Sequence, residues 1–329
     1  MARLSRAIHP SARRVARVAG LAVVIGALAV AGAGCRRDEA GSATRPAAAA
    51  SNAGSAAPAA APAAGPSASP GSPAAPAPAA PAPRLISLTP SATEVVAALG
   101  ATGLLIGVDD YSTYPPEVAG LPKVGSFLSP NLETIVGLRP SLVIVDDVHG
   151  QVAGALHDAG IATVACAIHG LPDVKAALRA VGAQIGRTGD ADRVIAAIDA
   201  ALDRAAVQRP ARRPRVLAVI DREAGGLGNL VTAGPGSWVD ELLAVVGGDN
   251  VLSAAGVRYP KISAEEVLRA RPEVILDLSY AARNSIAAWD RLAVPAVTAH
   301  RVRAIADPYL VAPSPRVAEA LVALARALR

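Results

Sequence analysis

The sequence predicts an α/β protein of two Rossmann-like lobes with mainly parallel sheets, joined by one long α-helix, with a ligand cleft between the lobes. Three observations carry that prediction. Short β-rich runs at 85–89, 142–145, 216–220 and 274–278 alternate with helical patterns, as in layered folds with parallel strands. The segment Asn131-Leu132-Glu133-Thr134 through Arg139-Pro140 to Leu142-Val143-Ile144 returns without a gap as Ser263-Ala264-Glu265-Glu266 through Arg271-Pro272 to Val274-Ile275-Leu276. Residues 190–207 place Val194, Ile195, Ile198, Ala201, Leu202 and Ala205 on one helical face, and 209–214 then break the pattern.

Taken in order, the chain begins with an exported segment, 1–35. An Arg-rich stretch to Arg17 precedes an apolar run, 18–34, and small residues ending at Cys35, the layout of a secretory signal. The run is also about the length of a short membrane span, so an uncleaved anchor is the structural alternative. Ala33-Gly34-Cys35 resembles a bacterial lipobox, and Cys35 is therefore read as a lipidation site. The other cysteine, Cys166, sits in an apolar stretch and reads as buried core. Residues 36–83 form a tether. From 46 to 83 they contain only Ala, Pro, Ser, Gly and one Asn, too little apolar variety for a packed core.

The first lobe is placed at 84–187, the connecting helix at 188–213 and the second lobe at 214–329. Hydrophobic residues make up 52% of the chain but aromatics only 2%, so both cores must be built from Val, Leu, Ile and Ala. The formal charge of +5 comes with Arg3, Arg6, Arg13, Arg14 and Arg17 in the leader, and without them the chain is near neutral. Nucleic-acid binding loses its electrostatic support on that count. A second echo pairs Thr93-Glu94-Val95-Val96-Ala97 and Gly100 with Asp240-Glu241-Leu242-Leu243-Ala244 and Gly247. Two similarly built lobes follow, and the cleft between them is the natural ligand site. One stiff connection predicts little hinge closure on binding.

Several short motifs now align with a known family. Leu85-Ile86-Ser87-Leu88-Thr89-Pro90-Ser91 with Thr93-Glu94, Gly107-Val108, Tyr114-Pro115-Pro116, Pro122-Lys123-Val124-Gly125, Pro130-Asn131-Leu132-Glu133, Tyr259-Pro260 with Ser263 and Glu265, and Ser314-Pro315-Arg316 occur in the family's order. Over 84–329 the chain resembles the helical-backbone substrate-binding proteins of bacterial ABC importers for cobalamin, haem and iron-siderophores, closest to the cobalamin-binding type. The resemblance implies a lipid-anchored periplasmic or cell-surface monomer. It would capture one of these chelates and deliver it to ABC permease subunits in the membrane, without enzymatic activity, resident cofactor or metal.

It also implies roles for particular residues. Glu133 and Glu265 would dock onto arginines of the permease. Asn131 and Ser263 can each cap a helix, putting both glutamates where the helix dipole favours a carboxylate, so a purely local role is the alternative. Aromatics from loops of both lobes would line the cleft: Tyr111, Tyr114, Phe127, Tyr259 and Tyr309. Each can equally roof its own lobe, whereas Trp238 and Trp289 lie in helical patterns and read as core. Asp146 and His149 follow the run 142–145 at a loop expected to face the cleft, as ligand contacts. Glu94 after Ser91, Glu266 after Ser263 and Asp240 after Ser237 read as capping-box residues.

Two other classes account for less of the sequence. A bare zinc or manganese site needs several histidines with a carboxylate, and past the leader only His149, His157, His169 and His300 are available. A non-transport surface lipoprotein would account for the tether but not for the repeat. The turn Gly234-Pro235-Gly236-Ser237 is neither a nucleophile elbow nor a phosphate loop, which leaves no enzymatic motif.

Overall fold

The first βα unit opens the fold. The computed structural model describes residues 82–329 apart from Asn284. The leader, Cys35 and the tether to residue 81 lie outside the described residues.

In the first lobe, β1 (Leu85–Ser87) leads into α1 (Pro90–Ala98), then β2 (Leu105–Val108). A tight hairpin, β3 (Gly125–Ser126) and β4 (Ser129–Pro130), precedes α2 (Leu132–Gly137), β5 (Leu142–Val145), α3 (Gly150–Asp158), β6 (Ala162–Ala165) and α4 (Leu171–Gln184). The sheet runs β2-β1-β5-β6 with all strands parallel. The connecting helix is α5 (Thr188–Val207), which starts at the first residue of the 188–213 segment and ends at Val207, ahead of Pro210 and Pro214.

The second lobe follows with β7 (Arg215–Asp221), β8 (Leu230–Thr232), α6 (Trp238–Val246), β9 (Asp249–Asn250), β10 (Lys261–Ile262), α7 (Ala264–Ala270), β11 (Val274–Asp277), α8 (Pro295–Thr298), β12 (Val302–Ala304) and α9 (Val317–Ala327). Its sheet is parallel through β7-β11-β12 but carries β8 and β10 as an antiparallel edge.

The repeat is structural as well as sequential. Asn131 caps α2 and Ser263 caps α7, Ile135 and Val267 are each fully buried one turn later, and Arg139 and Arg271 end the two helices with φ of 50° and 44°. Each arginine precedes a proline, which disfavours the right-handed helical region for it, so each chain end turns through the left-handed region. The second echo holds too: Gly100 and Gly247 close α1 and α6 with φ of 66° and 83°, where a Cβ would be strained.

Apolar packing divides into three layers. Ile86, Val143, Val145 and Leu156 fill a layer private to the first lobe, and Leu217, Val219, Ile275 and Trp289 one private to the second. The third is common to both: Val95, Leu178 and Val181 of the first lobe, Ile195, Ile198 and Ala201 of α5, and Leu242, Leu321 and Leu324 of the second form one continuous buried cluster. Cys166 is buried in this shared layer, and burial pushes its thiol up to about 12. Both tryptophans are buried, as their helical setting predicts.

Candidate functional site

The parallel strands of both sheets end in the loops that carry most of the predicted ligand residues. In the first lobe the loop after β2 is pinned by Asp109. This buried carboxylate accepts the Tyr111 amide at 2.9 Å and the Ser112 hydroxyl, while Lys123 Nζ donates to the Asp109 and Ser112 carbonyls at 3.1 and 2.7 Å. Burial raises the Asp109 pKa above the usual carboxylate range. The Ser112 hydroxyl continues to Thr93 and Ser87, tying the loop to α1 and β1. On this base Tyr111 and Tyr114 stand 43% and 41% exposed.

The structure gathers the other predicted residues into two groups. In the first, His149 is only 3% exposed and both ring nitrogens are used: Nδ1 accepts the Asp146 amide at 3.0 Å and Nε2 donates to the Phe127 carbonyl at 2.6 Å. The sequence places His149 as a ligand contact. The structure uses it instead to hold the β3–β4 turn, with the Phe127 ring edge-on at 5.5 Å. Beside it, Asp146 keeps its proton up to about 7, first because it is desolvated and then because Asp147 stands next to it. Asp147 in turn pairs with His169 at 3.1 Å.

In the second group Arg316 is the hub. Its guanidinium lies 4.0 Å from the Tyr114 ring centroid and 4.7 Å from that of Tyr309, so one cation is shared by an aromatic from each lobe. It also donates to both oxygens of Glu94, at 2.8 and 2.5 Å. Glu94 therefore does not serve the capping box that the sequence suggests. Pro90 occupies the first helical position, the cap moves back to Thr89, and the Thr89 hydroxyl accepts the Ala92 amide. A concavity of about 430 Å³ between the lobes is lined by Glu94, Tyr114 and Arg316, and a larger one of about 800 Å³ lies beside α9 and reaches Tyr309. The interlobe concavity is the more telling, since two lobes contribute to it.

Tyr259 is half-buried on the loop before β10, whose Arg258 and Pro260 carbonyls accept the Gly234 and Thr232 amides, and burial raises its pKa. It stands where the repeat places Phe127 in the first lobe. Glu133 and Glu265 are exposed at the second positions of α2 and α7. Glu266 closes a capping box on Ser263, as expected, whereas Asp240 accepts the Gly236 amide rather than that of Ser237 because Ser237 turns its own amide back to Gly234.

Sequence reasoning missed three features. Tyr280, just past β11, is 67% exposed with Arg283 5.3 Å from its ring; extending the repeat from Val148 would have found it. Arg222 and Asp277 form a fully buried ion pair at 2.7 Å, with the Trp289 indole and the Ser279 hydroxyl also donating to Asp277. Arg316 lies in Ser314-Pro315-Arg316, and nothing local gives it a role because its partner is 222 residues away. Among the described residues no three His, Cys, Asp or Glu side chains gather as a metal site, and no helix is long and apolar enough to cross a membrane.

A family model described as periplasmic binding protein matches residues 85–307. The vitamin B12-binding protein of Salmonella typhimurium (strain LT2) is 32% identical over 207 residues, covering 61% of this chain and 74% of that protein. Among solved structures, the periplasmic heme-binding protein of Roseiflexus sp. RS-1 in apo form superposes with a TM-score of 0.66 at 29% identity, over 75% of this chain and 98% of that one. The periplasmic vitamin B12 binding protein of Vibrio cholerae gives 0.60 at 26% identity, over 75% and 97%.

Proposed function

Since the chain belongs to the periplasmic binding protein family, we propose that it captures a large metal chelate, cobalamin or haem, outside the cytoplasmic membrane and delivers it to the permease of an ABC importer. The observation that carries the choice of ligand is the Tyr114–Arg316–Tyr309 stack, in which one cation joins an aromatic of each lobe, with Tyr114 and Arg316 lining the interlobe concavity and Tyr309 the one beside α9. Flat rings beside a guanidinium suit a broad macrocycle with polar side arms. Tyr111, Phe127, Tyr259 and Tyr280 are assigned to the rest of the ligand surface, and Asp146 to a polar hook. Cargo, not a resident cofactor, is the role assigned to the chelate.

Glu133 and Glu265 are assigned to permease docking, because equivalent helix starts present them exposed on both lobes. Cys35 is assigned to the lipid anchor, with 36–83 as the tether. A Cys35→Ser chain that still partitions into detergent would remove that assignment.

The test of the ligand reading is calorimetric titration with cyanocobalamin, haem and a ferric siderophore in parallel. One-to-one binding of cobalamin or haem, weakened at least tenfold by Tyr259→Ala, is the expected result. Binding of the siderophore alone would move the chain to iron uptake, and heat from none of the three would overturn the chelate reading.

A further inference from the structure

The repeat makes Glu94 of α1 the counterpart of Glu241 of α6, and each of the two carboxylates leaves its own lobe. Glu94 crosses to Arg316, with side chains 8% and 15% exposed. Glu241 crosses the other way: its Oε2 accepts the Leu171 amide at the start of α4, at 2.6 Å. The first-turn amides of a 14-residue helix favour a carboxylate there, and Asp173 already holds the His169 and Gly170 amides. Glu241 also lies so close to Gly170 that a Cβ there would meet its two oxygens at 2.7 and 2.8 Å.

We propose that Glu94 and Glu241 are a matched pair of interlobe latches, and that Arg316 is the positioning residue through which the first latch holds Tyr114 and Tyr309 as one surface. Each latch joins a charged side chain to a fixed partner across the boundary, one on each side of the repeat. Added to α5 and the shared apolar layer, they are directional contacts that oppose rocking of one lobe against the other. The cleft is thereby held at its working width before ligand arrives, so little ordering remains to be done on binding. Arg316 also has Glu319 at 3.9 Å, but that carboxylate lies within its own lobe and latches nothing. The role given to Tyr114 and Tyr309 rests on the cleft reading above; the latching of the lobes does not.

The test is a distance distribution between nitroxides at Asp158→Cys in the first lobe and Ala299→Cys in the second, on the full chain in detergent with Cys35→Ser and no chelate present. Both labelled positions are exposed, and Cys166 is buried with its thiol pushed up to about 12, so it stays unlabelled. The parent chain is expected to give one narrow peak and Glu94→Ala/Glu241→Ala to lose it. Gly170→Ala, whose new methyl meets the flexible end of Glu241 as its nearest neighbour, is expected to broaden the peak without unfolding the chain. The charge swap Glu94→Arg/Arg316→Glu should recover the narrow peak that Arg316→Ala loses. A double-alanine chain with the parent distribution overturns the proposal. So does a swap no narrower than Arg316→Ala; if the double-alanine chain does not fold, the swap and Gly170→Ala decide. Because no chelate is present, a failed titration leaves this result standing.

Discussion

At the scale of single residues, the buried ion pair of the second lobe is the most exposed to mutation. Arg222 and Asp277 are both inaccessible to solvent, and Arg222 also donates to the carbonyls of Gly226 and Ser285, so the pair pins two loops at once. Removing one partner leaves the other charge buried and uncompensated, which costs about 3–5 kcal/mol. Arg222→Ala should lose about that much in urea unfolding, whereas a surface pair such as Arg187–Asp190 should lose under about 1 kcal/mol. Asp146 gives a prediction in pH. Its folded pKa is raised from 3.8 to about 7, so the folded chain keeps a proton that the unfolded chain releases. The stability this contributes is present below pH 3.8 and is lost as pH rises through about 7. Asp146→Asn should flatten that part of the melting temperature against pH; an unchanged slope would assign it elsewhere. Such residues were the least legible in the sequence. Nothing near Arg316 announces Glu94, and His149 looks like a free loop histidine until Phe127 is folded onto it.

At the scale of elements, the sequence was most informative where local chemistry decides the outcome. Asn131 and Ser263 announce α2 and α7, and the shared apolar face announces α5, because caps and periodicity act within a few residues. Where a helix start involves proline, as at Thr89-Pro90, the cap shifts by two residues and the expected box at Ser91 fails. The antiparallel edge of the second sheet was also hidden, since β8 and β10 are three and two residues long and carry no alternation to read. Asn131→Ala and Ser263→Ala should each cost about 1 kcal/mol in denaturant unfolding. The two losses should add, since the caps share no partner.

At the scale of the whole molecule, the lobes were legible through the repeat, but what joins them was not. The sequence shows one connecting helix; the structure adds a shared apolar layer around it, assembled from residues spread between Leu85 and Leu328. Truncating Ile198 at its centre should cost about 2–5 kcal/mol. Scanning calorimetry of Ile198→Ala should show one transition displaced downward, while separate lobe transitions would mean that the layer does not couple them. The doubled helix start has its own consequence for assembly. Two equivalent caps, two equivalent glutamates and two exposed apolar neighbours, Val136 at 39% and Leu268 at 40%, give the proposed docking face two copies of one pattern, one on each lobe. Under the docking proposal, a permease face with two-fold symmetry would accept the protein in either of two orientations half a turn apart. The number of productive alignments would double relative to a face with one such patch.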